Sequence, residues 1–214
     1  MSSPKQEKPT ITPAPNGPYL VKNLQSLRNS RGDELETKQV TALCRCGASA
    51  NKPYCDGTHA KIGFSDAKQK GRVPDKRESY AGAEITIHDN RGLCAHAGRC
   101  TGGLPKVFRL GQEPWIDPNR ATADEIIATV RQCPSGALSY SLAGVEQRDR
   151  GQAPAITLAK DGPYVAVGGP ALEGVEWGEG ASTEQFTLCR CGGSKNKPFC
   201  DGSHWALKFK DDKN

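Results

Sequence analysis

The feature that most constrains this chain is an internal repeat that carries one pattern of cysteine and histidine twice. The segment LCRCGASANKPYCDGTHAKIGF begins at Leu43 and returns as LCRCGGSKNKPFCDGSHWALKF at Leu188, an offset of 145 residues. The same offset relates a Gly-Pro-Tyr at Gly17 to a second one at Gly162. Self-similarity of this length indicates duplicated structural units. Each unit is predicted to begin near its Gly-Pro-Tyr.

Composition favours small units that are held together by metal. Only 36% of the 214 residues are hydrophobic and 6% are aromatic, whereas there are 24 Gly and 15 Pro. Small loop-rich units of this kind need a staple besides their hydrophobic core. Nine cysteines can provide it, and an odd number does not close into a set of disulfides. Metal ligation is therefore the preferred interpretation.

Several classes of function are disfavoured. The polar, Pro-rich start has no apolar segment of signal-peptide length, which predicts a cytoplasmic protein in a reducing compartment. No stretch approaches the roughly 18 apolar residues of a membrane span. The 29 Lys and Arg exceed the 24 Asp and Glu only slightly and are spread along the chain, which argues against a nucleic-acid partner. No nucleophile with a base and no phosphate-binding loop stands out, so we expect no enzymatic activity.

The overall pattern predicts an α+β chain with two small β-rich units and a small α+β module between them. The predicted divisions are a polar tail over 1–15, a first unit over 16–75, a middle module over 76–150 and a second unit over 151–214. Predicted strands cover 19–24, 39–43, 84–88, 164–167 and 184–188, and an amphipathic helix covers 123–131. Asp56 and Asp201 are predicted to cap the start of a short helix, because a carboxylate accepts the free amide hydrogens of a first turn.

Each repeat holds three cysteines and one histidine with the spacing C-x-C-x8-C-x3-H. Such a donor set suits either tetrahedral zinc or a two-iron cluster. The first two cysteines share an extended segment and can hold one iron, whereas the third cysteine and the histidine lie four apart on a helical turn and can hold the second. The spacing therefore favours a 2Fe-2S cluster, with zinc as the alternative. The candidate ligands are Cys44, Cys46, Cys55 and His59, and Cys189, Cys191, Cys200 and His204.

Both copies resemble the CDGSH iron-sulfur domain family of the mitoNEET type. The family pattern C-x-C-x2-Ser/Thr-x3-Pro-x-C-Asp-Gly-Ser/Thr-His is met at every fixed position, with Ser49 and Ser194 as the hydroxyl residues and Pro53 and Pro198 as the prolines. The resemblance implies one redox-active 2Fe-2S cluster per motif, with the iron on the histidine side more exposed. Members with one motif pair two chains around a twofold axis. We therefore predict an intramolecular pseudo-dimer: a monomer with an internal pseudo-twofold, in which the units pack together and exchange or pair strands.

The middle module carries a third candidate site. Cys94 and Cys100 lie six apart, and Cys133 is followed by proline, as in ferredoxins, but Ala97 takes the place of the central cysteine of the ferredoxin run. Three cysteines suit a 3Fe-4S cluster, whereas a 4Fe-4S cluster needs a fourth ligand, for which His96 is the nearest candidate. The alternatives are a surface or supporting role for His96 and a ferredoxin fold that has lost its cluster.

The same segment resembles a divergent single-cluster ferredoxin domain that is found joined to CDGSH motifs. The shared features are C-x-H-x-G-x-C at 94–100, Trp-x-x-Pro at 115–118 and CPSGAL at 133–138. This resemblance implies a ferredoxin-like fold around the third site.

Three functions are compatible with these sites. The first is electron transfer to a redox partner protein, and the second is donation of a cluster to an apo-acceptor protein or sensing of iron or redox state. The third is a zinc-stapled interaction module. Histidine ligation affects both the redox potential and the acid stability of a cluster. A neutral imidazole in place of a thiolate raises the cluster's potential, and a protonated imidazole cannot bind iron. An acid-sensitive site is therefore expected.

Overall fold

A computed structural model of the protein describes residues 7–214. The strands are β1 (Thr10–Pro13), β2 (Tyr19–Lys22), β3 (Leu27–Arg28), β4 (Val40–Leu43), β5 (Arg77–Ala81), β6 (Ile85–Asn90), β7 (Leu138–Leu142), β8 (Val145–Gln147), β9 (Ala155–Leu158), β10 (Tyr164–Val167), β11 (Ala171–Leu172) and β12 (Gln185–Leu188). The α-helices are α1 (Thr58–Lys61), α2 (Arg99–Gly103), α3 (Ala123–Val130) and α4 (Ser203–Ala206), and two 3-10 turns cover Arg91–Leu93 and Pro118–Arg120.

The two repeat units exchange a strand. One sheet has the order β11-β1-β2-β4 and another has the order β12-β10-β9-β3. Strand β11 of the second unit pairs in parallel with β1 of the first, with Thr10 opposite Ala171. Strand β3 of the first unit pairs in parallel with β9 of the second, with Leu27 opposite Ile156. Each four-stranded sheet is therefore completed by the other unit.

The exchanged sheets enclose one shared hydrophobic core. Alternate residues of β2 and β10 point inward, as expected for strands with one buried face. The rings of Tyr19 and Tyr164 meet edge to face, with centroids 6.0 Å apart. Each fully buried side chain of Leu, Ile or Phe size contributes about 1.5 to 3 kcal/mol. The core is built from Ile11, Tyr19, Val21, Leu24, Leu27, Leu43, Ile156, Leu158, Tyr164, Ala166, Leu172, Phe186, Leu188 and Phe199.

The middle module has its own antiparallel sheet, β5-β6-β7-β8, and its own core. Helix α3 begins with a capping box, in which the Thr122 hydroxyl accepts from the Glu125 amide and the Glu125 carboxylate accepts from the Thr122 amide. Its buried residues Ile126 and Val130 pack into this core. The module therefore has both the sheet and the covering helix that an independent core requires.

The strands and the long helix lie close to their predicted positions, and the differences have local causes. Strand β2 ends at Lys22 and not at residue 24, because Asn23 has a left-handed φ of 56°. The predicted polar tail over 1–15 is wrong for Thr10–Pro13, which forms β1 in the first sheet. Residues 1–6 of that tail lie outside the described residues. Among residues 7–214, no helix combines the length and the apolar character that crossing a membrane requires.

Candidate metal centres

The first Cys-x-Cys follows β4 directly, and backbone hydrogen bonds fold the ligand loop back onto that strand. The Cys44 amide donates to the Pro53 carbonyl at 2.7 Å, and the Cys55 amide donates to Ala42 at 2.9 Å. This closure brings the Sγ atoms of Cys44 and Cys46 to 3.8 Å from each other. Two thiolates about 2.3 Å from one tetrahedral metal atom are separated by about this distance.

The second ligand pair is set by the turn that starts α1. The third cysteine and the histidine approach to 3.4 Å between Cys55 Sγ and His59 Nδ1. Gly57 takes a left-handed φ of 84° at the helix N-cap, and its amide donates to Cys55 Sγ at 3.4 Å. The predicted cap at Asp56 is therefore wrong by one residue, because the reversal before the helix requires the left-handed region that glycine accepts.

The carboxylate of Asp56 still satisfies backbone amides. It accepts hydrogen bonds from Thr58 at 3.0 Å and from Ala50 at 2.8 Å. These bonds hold the pKa of Asp56 well below its usual range. Asp201 accepts from the equivalent amides of Ser203 and Lys195. Both carboxylates therefore brace the loop that carries the ligands.

The second copy reproduces the same geometry. Cys189 and Cys191 are 3.9 Å apart at Sγ, and Cys200 Sγ lies 3.5 Å from His204 Nδ1. Each copy therefore presents one Cys-Cys pair and one Cys-His pair of donors. A donor set of this composition suits either a four-coordinate zinc or a two-iron cluster.

The three cysteines of the middle module line one cavity of about 220 Å³. A cavity needs only about 10 to 15 Å³ of this kind of volume to hold one water molecule, so this space accommodates an inorganic group of several heavy atoms. Cys94, Cys100 and Cys133 share the lining with His96, as the sequence suggested, and with Asp89. The role of His96 as a fourth ligand stays a prediction.

Asp89 is a residue of this cavity that sequence reasoning missed. Its side chain lies on the buried face of β6, and Oδ2 has no hydrogen-bond partner among the described residues. Burial raises the pKa of Asp89 to about 7, and the nearest cation, Arg91, is 3.9 Å away. The predicted strand over 84–88 ends one residue before Asp89, whereas β6 continues to Asn90 and so brings this carboxylate onto the buried face.

Comparison with known proteins identifies the three segments. The family model described as the iron-binding zinc finger of CDGSH type matches residues 16–60 and 161–205, and the divergent 4Fe-4S mono-cluster model matches residues 80–143. The chain belongs to the CDGSH family. These matches confirm the resemblance of both copies and of the inserted module, and they mark an iron-sulfur protein.

The matching curated relatives share a shorter region with this chain. The uncharacterized protein YjdI of Escherichia coli (strain K12) is 38% identical over 61 residues, which is 28% of this chain and 80% of that protein. YjdI of Escherichia coli O157:H7 matches to the same extent. No solved structure matches the chain.

The tyrosine of each Gly-Pro-Tyr supports the ligand loop of the other CDGSH unit. The Tyr19 hydroxyl lies between the carbonyls of Cys189 and Pro198, at 3.0 and 2.9 Å. The Tyr164 hydroxyl lies in the same way between Cys44 and Pro53, at 2.9 and 3.0 Å. Burial raises the pKa of both tyrosines well above the usual value. Each remains a neutral hydrogen-bond donor, so the two ligand loops depend on one another.

The arginine between the two cysteines of each Cys-x-Cys fixes the ligand loop through buried hydrogen bonds and an ion pair. Arg190 donates to the carbonyls of Gly162 and Ala159 at 2.7 and 3.0 Å and forms a fully buried ion pair with Asp211. Arg45 makes the corresponding bonds to Gly17, Ala14 and Asp66. Sequence reasoning missed both arginines, although their identity in the two copies was a signal.

The two CDGSH sites differ in exposure. The third cysteine and the histidine of the second site, Cys200 and His204, are 2% and 5% exposed. Their counterparts Cys55 and His59 are only half-buried. Since the motifs are almost identical, the difference comes from what packs around them.

The buried thiols need positive charge to ionise. Burial, with a neighbouring thiol in support, raises the pKa of Cys44 to about 11 and that of Cys94 to about 12. Only a thiolate is a good metal ligand. Metal binding at these sites therefore releases protons and becomes weaker as the pH falls.

Proposed function

We propose that this protein is an electron-transfer protein with two 2Fe-2S clusters in its Cys3His sites and a third cluster in the three-cysteine cavity. The third would be 3Fe-4S, or 4Fe-4S with His96 as the fourth ligand. The observation that carries the proposal is the division of each ligand set into a Cys-Cys pair and a Cys-His pair. The two donor atoms within these pairs are 3.8 and 3.4 Å apart in the first site and 3.9 and 3.5 Å apart in the second.

The residues around each site are suited to one-electron chemistry. A bound cluster supplies the site that accepts and returns a single electron. The histidines reduce the negative charge of the ligand set, which favours the reduced state. The buried arginines and reciprocal tyrosines hold the loops in one geometry. We propose no catalytic turnover of a substrate by this chain.

We propose that the two CDGSH units form an intramolecular pseudo-dimer, so the protein works as a monomer with a redox partner protein. The exchange of β3 and β11 and the reciprocal bonds of Tyr19 and Tyr164 support this arrangement. Within one chain, the exchanged strands fill the place that a second subunit takes in single-motif relatives.

Donation of a cluster to an apo-acceptor protein is the second candidate. It is favoured by the half-buried His59 and Cys55 of the first site, because a ligand that solvent reaches is open to exchange. Sensing of iron or redox state would use the same open site.

Iron, acid-labile sulfide and zinc analysis of freshly purified protein tests the proposal. We expect visible absorption that bleaches on reduction, with iron and sulfide present and zinc absent. Incubation with an apo-ferredoxin then separates the two candidates: cluster transfer supports donation, whereas rapid reduction by a reductase without transfer supports electron transfer. A colourless protein that contains zinc would refute both.

Mild acid is expected to remove iron from the first site before the second. A released imidazole takes up a proton with a pKa of about 6.5, and the protonated ring cannot return to iron. Burial lowers the pKa of His204, so that ring stays neutral, and able to bind metal, to lower pH. Visible absorption at pH 5.5 should therefore decay in two phases. His59→Cys should slow the fast phase and His204→Cys the slow phase, and a single phase that both variants slow equally would contradict this expectation.

A further inference from the structure

His96 has an unusual backbone conformation at the boundary between the middle module and the second CDGSH unit. Its φ is 52°, in the left-handed region that few residues other than glycine adopt. Such a conformation persists only where the surroundings fix it. The contacts that fix His96 join two metal sites.

The main chain of His96 bonds in both directions. Its amide donates to the Sγ atom of Cys94, a candidate ligand in the middle cavity, at 3.4 Å. Its carbonyl accepts from Nε1 of Trp205 at 3.2 Å. The Trp205 ring lies 5.2 Å from that of His204, a ligand of the second site. A continuous set of contacts therefore links Cys94 to His204.

The side chain of His96 adds a direct contact with the CDGSH motif itself. A Cβ placed on Gly202 would lie 2.8 Å from Cδ2 of the His96 ring. The ring therefore rests on the glycine between the ligands Cys200 and His204. In the first copy, nothing lies within 4 Å of the equivalent position on Gly57.

Further contacts hold the same two units together. The side-chain Nδ2 of Asn196 donates to the Gly92 carbonyl at 2.8 Å, and the side-chain Nε2 of Gln185 donates to the Cys133 carbonyl at 3.0 Å. Asn196 is buried, whereas Asn51, its counterpart in the first motif, is exposed. The middle module thus covers the second motif, and Ala60 stands in the first motif where the second has Trp205.

We propose that His96 is a positioning residue that couples the three-cysteine site to the second CDGSH site, so that the two CDGSH sites have different roles. The inference rests on the proposed electron-transfer function. The middle and second sites form an internal pair: one electron leaves the reduced site and enters the oxidised one, with no proton or bond change. The first site is the outward one, where a partner protein meets the chain.

Two variants of the full-length protein test the proposal by removing the contact between His96 and the second CDGSH unit from either side. His96→Gly keeps the left-handed backbone and its hydrogen bonds but removes the ring. Trp205→Ala introduces the residue that the first copy has. Redox titration followed by electron paramagnetic resonance gives each site's potential, and an Fe(II) chelator gives each site's rate of iron loss. His59→Cys assigns the signals of the first site.

We expect both variants to change the second site and to leave the first unchanged. Water that reaches the second site stabilises its more negative reduced state, so its potential should rise. Its iron loss should become about tenfold faster, which corresponds to roughly 1.4 kcal/mol less protection. Asn196→Ala should act in the same direction, whereas the matched control Asn51→Ala should have no effect.

Equal potentials and equal iron loss at the two sites of the unchanged protein would overturn the inference. So would a shift at the first site that matches the shift at the second. Neither result would touch the proposed function, which fails only if iron and sulfide are absent or the clusters cannot be reduced. The two failures are therefore distinguishable in the same samples.

Discussion

Gly47→Ala or Gly192→Ala will force apart the two ligand loops at the centre of the protein and will lower its stability by about 3 kcal/mol or more. The loops lie back to back. A Cβ on Gly47 would lie 2.5 Å from the Cys191 carbonyl oxygen, and one on Gly192 would overlap the Cys46 carbonyl. The opposing atoms are backbone, so no side chain can move away to make room.

Part of this loss of stability comes from placing an alanine in a left-handed backbone conformation, and Gly57→Ala measures that part. All three glycines have similar left-handed φ values, 79° for Gly47 and Gly192 and 84° for Gly57. The left-handed conformation costs an alanine about 1 to 2 kcal/mol. Since Gly57 has open space around it, its variant should lose only that amount. Chemical denaturation of the three variants gives the comparison, and equal losses would mean that the loops are not in contact.

Removing the carboxylate of Asp211 will destabilise the second CDGSH unit by about 3 to 5 kcal/mol. Arg190 and Asp211 are 0% and 1% exposed. Asp211→Ala leaves the guanidinium buried without its counter-charge, and such a loss exceeds the net value of the pair itself. The Cys-x-Cys segment around Arg190 should also loosen, so the second site should lose iron faster.

The first unit contains the matched control. Arg45 is equally buried, but its partner Asp66 is 31% exposed, so water can replace the carboxylate. Asp66→Ala should therefore cost about 1 kcal/mol. Thermal unfolding of the two variants at one pH measures the difference. If Asp66→Ala proved as costly as Asp211→Ala, burial would not be the reason for the effect.

Local features were the ones that the sequence predicted well. Strand β10 has the predicted bounds, and the ligand pairs were inferred from spacing because two residues on one extended segment, or four apart on one turn, must lie close together. The error at Asp56 was also local, since glycine takes the N-cap when the chain needs a left-handed residue there.

Contacts between distant parts of the chain could not be predicted in the same way. Tyr19 marked the repeat, but nothing in its neighbourhood shows that its hydroxyl reaches Cys189, 170 residues away. Two-residue strands such as β3 and β11 are too short to show the alternation of apolar and polar residues by which a strand is predicted from sequence. The place of His96 depends on how two units meet, which no single motif encodes. Sequence reasoning therefore missed the contacts that join the units.

Strand exchange has a consequence for synthesis on the ribosome. Strand β1 cannot pair with β11 until β11 has been synthesised, and Ala171 of β11 lies 161 positions after its partner Thr10. At roughly 5 to 20 residues per second, the nascent first unit spends many seconds with one sheet edge unpaired. Unpaired edges are where chains join wrong neighbours. The middle module, whose core lies within one stretch of chain, can fold during that interval and keep the two halves of the exchange on the same molecule.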